Sequence, residues 1–224
     1  MREIVLDTET TGLDPADGHR IAEVACVELF NHLPTGQVFH RYINPERSMP
    51  AEAQAVHGLT DEFLAQHPPF AAHVEDLLVF IGTGPLVIHN AEFDLKFLNA
   101  ELKRLDREPI GCTHVDTLTL ARRKFPGAPA SLDALCRRFE IDLSARSKHG
   151  ARLDCELLAA VYLELIGGRQ PGFDLTAAAS AVEAHALIER VARPPRPHAP
   201  SEAETAAHAA FLAKLKEPLW LRTE

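Results

Sequence analysis

The sequence predicts an α/β fold, a mixed sheet covered by helices, followed by a tail of different character. Three observations predict it. An apolar run, Ile4-Val5-Leu6, opens the chain, and two more stretches with strand character follow before Pro45. Beyond Pro50, apolar residues recur mostly at helical spacing, interrupted by the short buried run Leu86-Val87-Ile88. After Gly167-Gly168 the pattern gives way to an alanine-rich segment and a cluster of prolines.

Taken in order, Ile4–Asp7 reads as a buried strand, Arg20–Phe30 as a second and Val38–Asn44 as a third by its alternation, ended by Pro45. Short connections between them suggest an antiparallel meander. Pro50–Val56 reads as a short helix, Thr60 as the cap of another, and His73–Ile81 as a third. Pro85–His89 suits a buried parallel strand. Phe93, Phe97, Leu98, Leu102 and Leu105 form a helical stripe over Ala91–Leu105. Val115–Phe125 and Ser131–Phe139 read as two more helices, and Ala151–Ile166 as a long one stopped by Gly167-Gly168. Thr176–Val191 reads as a weak helix, Arg193–Ser201 as an extended proline linker, and Glu202–Lys216 as a helix capped by Ser201. The expected domains are 1–168, a linker 169–201 and a helical tail 202–224.

With 224 residues, 46% of them hydrophobic, the chain can fill one sizeable core. No run approaches the ~18 apolar residues of a membrane span. The first strand is expected to begin almost at once, so no signal peptide is expected. Cys26, Cys112, Cys136 and Cys155 are scattered without a CxxC, so reduced thiols in a cytoplasm are expected rather than a zinc site or disulfide framework. The net charge of −9 argues against a simple basic nucleic-acid binder. Residues 167–224 carry seven charges of each sign, so the whole of the −9 lies in residues 1–166. An acidic domain can still take a polyanion where bound cations invert the local charge.

The candidate chemistry starts at Asp7 and Glu9. Residues i and i+2 of a strand share a face, so two carboxylates aim at one place. Crowded acids resist ionisation, and divalent cations with hard oxygen ligands relieve them. Alone, this pair is accounted for by a solvated strand end. Asp94 lies in the first turn of a helix, where an ordinary dipole-stabilised acid would also stand. Asp154 falls one turn inside an otherwise apolar helix, a costly place for an unpaired acid. His149 precedes it on a loop with Ser147, Lys148 and Gly150.

Together, D-x-E at strand one, N-A-x-F-D at 90–94 and H-x(4)-D at 149–154 resemble the DEDDh class of 3′→5′ exonucleases, and within it the proofreading epsilon subunits of bacterial DNA polymerase III. The resemblance spans residues 2–168 through L-D-T-E-T-T-G, V-H-G-L-T-D-E-F-L, L-V-I-H-N-A-E-F-D, the K-F-P-G…F-E-I-D stretch and K-H-G-A-R-L-D. It implies a ribonuclease H-like fold with a five-stranded mixed sheet. It implies two divalent cations, Mg²⁺ or Mn²⁺, on Asp7, Glu9, Asp94 and Asp154, with His149 as general base. A sister class carries a tyrosine instead, and neither Tyr42 nor Tyr162 fits that pattern.

The resemblance further implies that Glu52 and His57 lie near the terminal nucleotide of a DNA 3′ end. Thr8, Thr10 and Thr11 offer backbone and hydroxyl groups to it, and Asn90 and Phe93 are neighbours for its sugar and base. Gln170, Phe173 and Leu175 approximate a sliding-clamp peptide, although Phe173 and Leu175 equally suit closing the domain. The segment 202–221, with Phe211, Leu215, Leu219 and Trp220, resembles the part that docks the polymerase catalytic (alpha) subunit. Three alternatives stay open: a stand-alone repair exonuclease, an exonuclease of RNA ends, and a catalytically silent bridging subunit.

Overall fold

The computed structural model describes residues 1–144, 148–168 and 199–216. The chain divides into two units, Met1–Gly172 and Phe173–Glu224, each described by itself.

In the first unit a central sheet is built from β1 (Arg2–Thr10), β2 (Ile21–Phe30), β3 (Leu33–Tyr42), β4 (Leu86–Ile88) and β5 (His114–Asp116) in the order β3-β2-β1-β4-β5. The first three run antiparallel, while β1, β4 and β5 run parallel. The mixed five-stranded sheet agrees with the expected fold. The helices are α1 (Ala51–His57), α2 (Asp61–Leu64), α3 (Val74–Ile81), α4 (Ala91–Arg104), α5 (Thr117–Lys124), α6 (Leu132–Arg138) and α7 (Ala151–Leu165).

Three strands depart from the sequence reading: β1 runs past the expected Asp7 to Thr10, so Asp7 and Glu9 both stand within it. β3 starts at Leu33 rather than Val38, because Asn31 and His32 both take positive φ (50° and 68°) and close a two-residue hairpin. Its first half is exposed on both faces at the sheet edge, so it carries no alternation to read. The expected helix Val115–Phe125 is in fact strand β5 followed by α5. Asp116 is the boundary: its side chain accepts from Leu118 N–H (3.0 Å) and from the Thr119 hydroxyl (2.7 Å), capping α5. A three-residue strand is too short to show a period.

The sheet separates two apolar clusters. Val5, Ala25, Val27 and Val87 pack with α6 and α7 residues such as Leu135, Leu158 and Val161 on one face. Ile4, Leu6, Cys26 and Ile88 pack with Leu77, Ile81, Phe97 and Leu98 of α3 and α4 on the other. Alternation along β1 therefore sends odd-numbered residues toward α7 and even-numbered ones toward α4. Phe97 and Leu98 are fully buried, each contributing about 1.5–3 kcal/mol relative to exposure.

In the second unit, α8 (Glu202–Leu212) ends earlier than the expected Lys216. It starts in a capping box: Ser201 Oγ accepts from Glu204 N–H (3.3 Å) and the Glu204 carboxylate accepts from Ser201 N–H (2.8 Å). Phe211 and Leu215 are exposed. The segment Thr176–Val191, the prolines before His198, and Gln170, Phe173, Leu175, Leu219 and Trp220 lie outside the described residues. All four cysteines are free thiols. Among the described residues no helix is long and apolar enough to cross a membrane.

Candidate active site

β1 continues through its acids. It pairs with β2 as far as Thr10, yet with β4 only through Ile4 and Val5. The sheet opens there on one side of β1, at the point where its connections change from antiparallel to parallel. Crevices of this kind, outside the carboxyl ends of parallel strands, are where α/β sheets bind ligands.

Asp94 is brought in by α4. The Asn90 backbone takes the left-handed region (φ 69°, ψ 56°), and its N–H donates to Asp116 Oδ1 (3.0 Å), so one carboxylate caps α5 and fixes the entry to α4. Asp94 is buried in the first turn and accepts a hydrogen bond from the Thr8 hydroxyl (2.7 Å). Asp154 comes from the first turn of α7, also buried. His149 stands just before α7 with its side chain 48% exposed and its Nδ1 3.4 Å from Asp154 Oδ2. Its backbone N–H donates to the Val56 carbonyl of α1 (3.3 Å), tying the histidine loop to that helix. One potential ligand atom each from Glu9, His149 and Asp154 lie within 4.8 Å of one another.

The charges of the other acids bear on Asp7. Burial pushes the Asp7 carboxyl well above the usual carboxylate range, and negative charge from Asp94, Glu9, Asp154 and Glu23 pushes it further. Burial raises Asp94 to about 7, against the opposing hydrogen bonds from Thr8. The four charges that act most on Asp7 are all carboxylates. A hard divalent cation supplies the missing positive charge and matches an all-oxygen donor set. The residues present therefore fit such a cation.

Beside the acids lies a cleft of about 470 Å³, in the range of small-ligand sites, lined by Thr8–Leu13, Asp17, His19, Pro50, Glu52, Ala53, Val56, His57 and Phe93. Thr8, Thr10, Thr11, Glu52, His57 and Phe93 are thus brought together, whereas Asn90 does not line it. His57 Nδ1 accepts from Leu59 N–H (3.0 Å), which puts the proton on Nε2. That Nε2 is buried, and a backbone hydrogen bond with Thr10 acts on the ring. Burial also lowers the His57 pKa, favouring the neutral ring.

The sequence reading missed Glu23 and His19. Glu23 pairs with Glu9 across β1 and β2, is buried, and lies 2.7 Å from His40 Nε2. An acid inside the otherwise apolar run 21–27 was the available signal. His19, in the loop after β1, lines the cleft.

A sequence model described as an exonuclease matches residues 4–162. DNA polymerase III subunit epsilon of Rickettsia conorii is 53% identical over 179 residues, covering 78% of both chains. The protein of that name from Escherichia coli K12 is 43% identical over 201 residues, covering 86% of this chain and 83% of its own. The chain belongs to the exonuclease family of DNA polymerase III epsilon subunits. Among solved structures, exonuclease X in complex with 5′ overhanging duplex DNA is 26% identical with a TM-score of 0.58, covering 73% of this chain and 90% of its own. The nuclease domain of 3′hExo, a DEDDh family member, shares the fold at 20% identity and a TM-score of 0.62, covering 74% and 92%. As an epsilon-family member, this is a 3′→5′ exonuclease of the proofreading type with a ribonuclease H-like fold. The family uses divalent metal ions, in keeping with the acidic cluster.

Proposed function

We propose that this exonuclease trims mispaired nucleotides from DNA 3′ ends with Asp7, Glu9, Asp94 and Asp154 as metal ligands and His149 as general base. The observation that carries the reading is the convergence of carboxylates from β1, α4 and α7, three of which act on the buried Asp7, bordered by a histidine and a cleft of nucleotide size.

Two cations, Mg²⁺ or Mn²⁺, when bound by these carboxylates, favour attack of water on phosphorus and compensate charge on the leaving 3′ oxygen. The chain's own groups do the rest. Glu52, His57, Thr10 and Thr11 line the cleft and receive the terminal nucleotide. Phe93 offers a ring for base or sugar to rest on, a contact that does not read sequence. The His149 imidazole accepts the water proton as the P–O3′ bond breaks, and Asp154 beside Nδ1 orients the ring. Thr8 holds Asp94 in place. A frayed mismatched end costs less to unpair, which contributes selectivity from the DNA itself.

The partners are the polymerase alpha subunit, engaged by 202–221, and the sliding clamp, engaged around Gln170, Phe173 and Leu175. The exposed Phe211 and Leu215 support a docking role for the tail. Such tethering raises the effective concentration of the nuclease at the primer end.

The test is release of 5′-mononucleotides by the full chain from a 3′-mismatched primer, with Mg²⁺ or Mn²⁺ and with EDTA. Asp94→Asn and Asp154→Asn are expected to abolish release, and His149→Ala to slow it by about 10²–10⁴-fold. Wild-type rates in His149→Ala would remove the general-base role. Faster release from RNA than from single-stranded DNA would favour an RNA-end enzyme. Deleting 169–224 without weakening co-elution with the polymerase would remove the docking role.

A further inference from the structure

Residues 11–20 leave β1 and return into β2, and the excursion closes at its base. Thr11 N–H donates to the Arg20 carbonyl (2.9 Å), and Arg20 N–H donates to Thr11 Oγ1 (3.0 Å). Thr11 Oγ1 also lies 3.1 Å from His19 Nδ1, and in one of the two ring tautomers its hydroxyl donates to that nitrogen. Nδ1 is then the acceptor and Nε2 carries the proton. The ring lies on Gly12, where an added Cβ would collide with three of its atoms. The ring's position thus depends on a residue with no side chain. His19 and Gly12 both line the cleft.

The Arg20 side chain fixes this arrangement to α4. Its Nε donates to Glu101 Oε1 (2.6 Å) and its Nη2 to Oε2 (2.8 Å), with the Glu101 side chain only 4% exposed. Bidentate pairs of this kind set orientation as well as distance. Glu101 lies two turns after Asp94 on the same helix, and Phe93 of that helix faces the cleft. One buried ion pair therefore spans the two elements between which a nucleotide would lie.

We propose that His19 is a further substrate-binding residue, donating its Nε2–H to an acceptor on the 3′-terminal nucleotide, and that Arg20–Glu101 is the pair that positions it. This rests on reading the cleft as the terminal-nucleotide site. Every nucleotide offers acceptors on base, sugar and phosphate, so one donor adds affinity without imposing a sequence.

Steady-state release of nucleotides from a single-stranded DNA oligonucleotide with Mn²⁺ tests it on the full chain. Wild type and Asp154→Asn come first: an inactive wild type, or a fully active Asp154→Asn, overturns the active-site reading and this inference with it. Given an active wild type, His19→Phe keeps a ring over Gly12 and removes the donor. Its KM is expected to rise about five-fold to ten-fold with kcat within about two-fold, the mark of lost uniform binding. His19→Gln, which restores a donor, recovers part of the loss. Glu101→Gln raises KM alone and adds nothing to His19→Phe. An unchanged KM in His19→Phe, or a fall in kcat alone, overturns the binding role and leaves the active-site reading standing. Independent, multiplying effects of Glu101→Gln and His19→Phe overturn the positioning role.

Discussion

The Thr8 hydroxyl donates a 2.7 Å hydrogen bond to Asp94 Oδ1, joining the carboxyl-terminal end of β1 to the first turn of α4. Thr8 points to the α4 side while its neighbours Asp7 and Glu9 point toward α7, so three consecutive residues engage both faces of the site. Thr8→Val keeps the shape and removes the donor. Hydrogen bonds to charged groups contribute about 1.5–3 kcal/mol, so nucleotide release is expected to fall about ten-fold or more. Thr8→Ser is expected to retain most of it, and a metal titration of both variants locates the loss at the cation site.

Metal removal and pH act on the same acids. Asp94 is raised to about 7 and Asp7 well above the ordinary range, both chiefly by burial. A carboxyl whose folded pKa exceeds its unfolded pKa binds more protons in the folded state. Its contribution therefore favours folding at acid pH and is lost as pH rises from the ordinary carboxylate range through about 7. In EDTA, thermal stability is expected to decline between pH 5 and 7.5. Saturating Mn²⁺ reverses this trend, with a gain of about 5–10 °C at the upper end. Equal melting temperatures with chelator and with metal at pH 7.5 would count against a four-carboxylate site.

Far from the acids, fully buried Glu3 accepts from the Tyr162 hydroxyl (2.8 Å), and its other oxygen lies 2.7 Å from His32 Nδ1. Tyr162→Phe leaves that carboxylate short of a partner in the interior. The expected cost is about 1–3 kcal/mol of stability, read by urea unfolding, with kcat within about two-fold of wild type.

In the second unit, Ser201→Ala removes half of the capping box that starts α8. A loss of about 1 kcal/mol is expected, seen as about five-fold weaker hydrogen-exchange protection in α8 beyond its first turn.

The parts legible in the sequence were those where a rule was broken locally. Asp7 and Glu9 end an apolar run, and Asp154 interrupts an apolar helix face, so each is visible from its immediate neighbours. β5 was not legible, because three residues carry no period and Asp116 caps the helix that follows. The first half of β3 was not, because an edge strand solvated on both faces has no buried side to mark. Arg20 and Glu101 lie 81 residues apart, and only the packing of β2's start against α4 reveals that they meet. His19 escaped for the same reason: its place over Gly12 follows from how the loop closes, which composition does not encode.

The two apolar clusters on opposite faces of β1 bear on when this nuclease can cut at all. Asp94 is delivered by one cluster, Asp154 and His149 by the other, and Asp7 and Glu9 by the strand between them. A chain with only one face packed holds an incomplete ligand set. Loss of packing on either face of the sheet is therefore expected to remove nuclease activity. Activity and far-UV circular dichroism should disappear at one and the same denaturant midpoint.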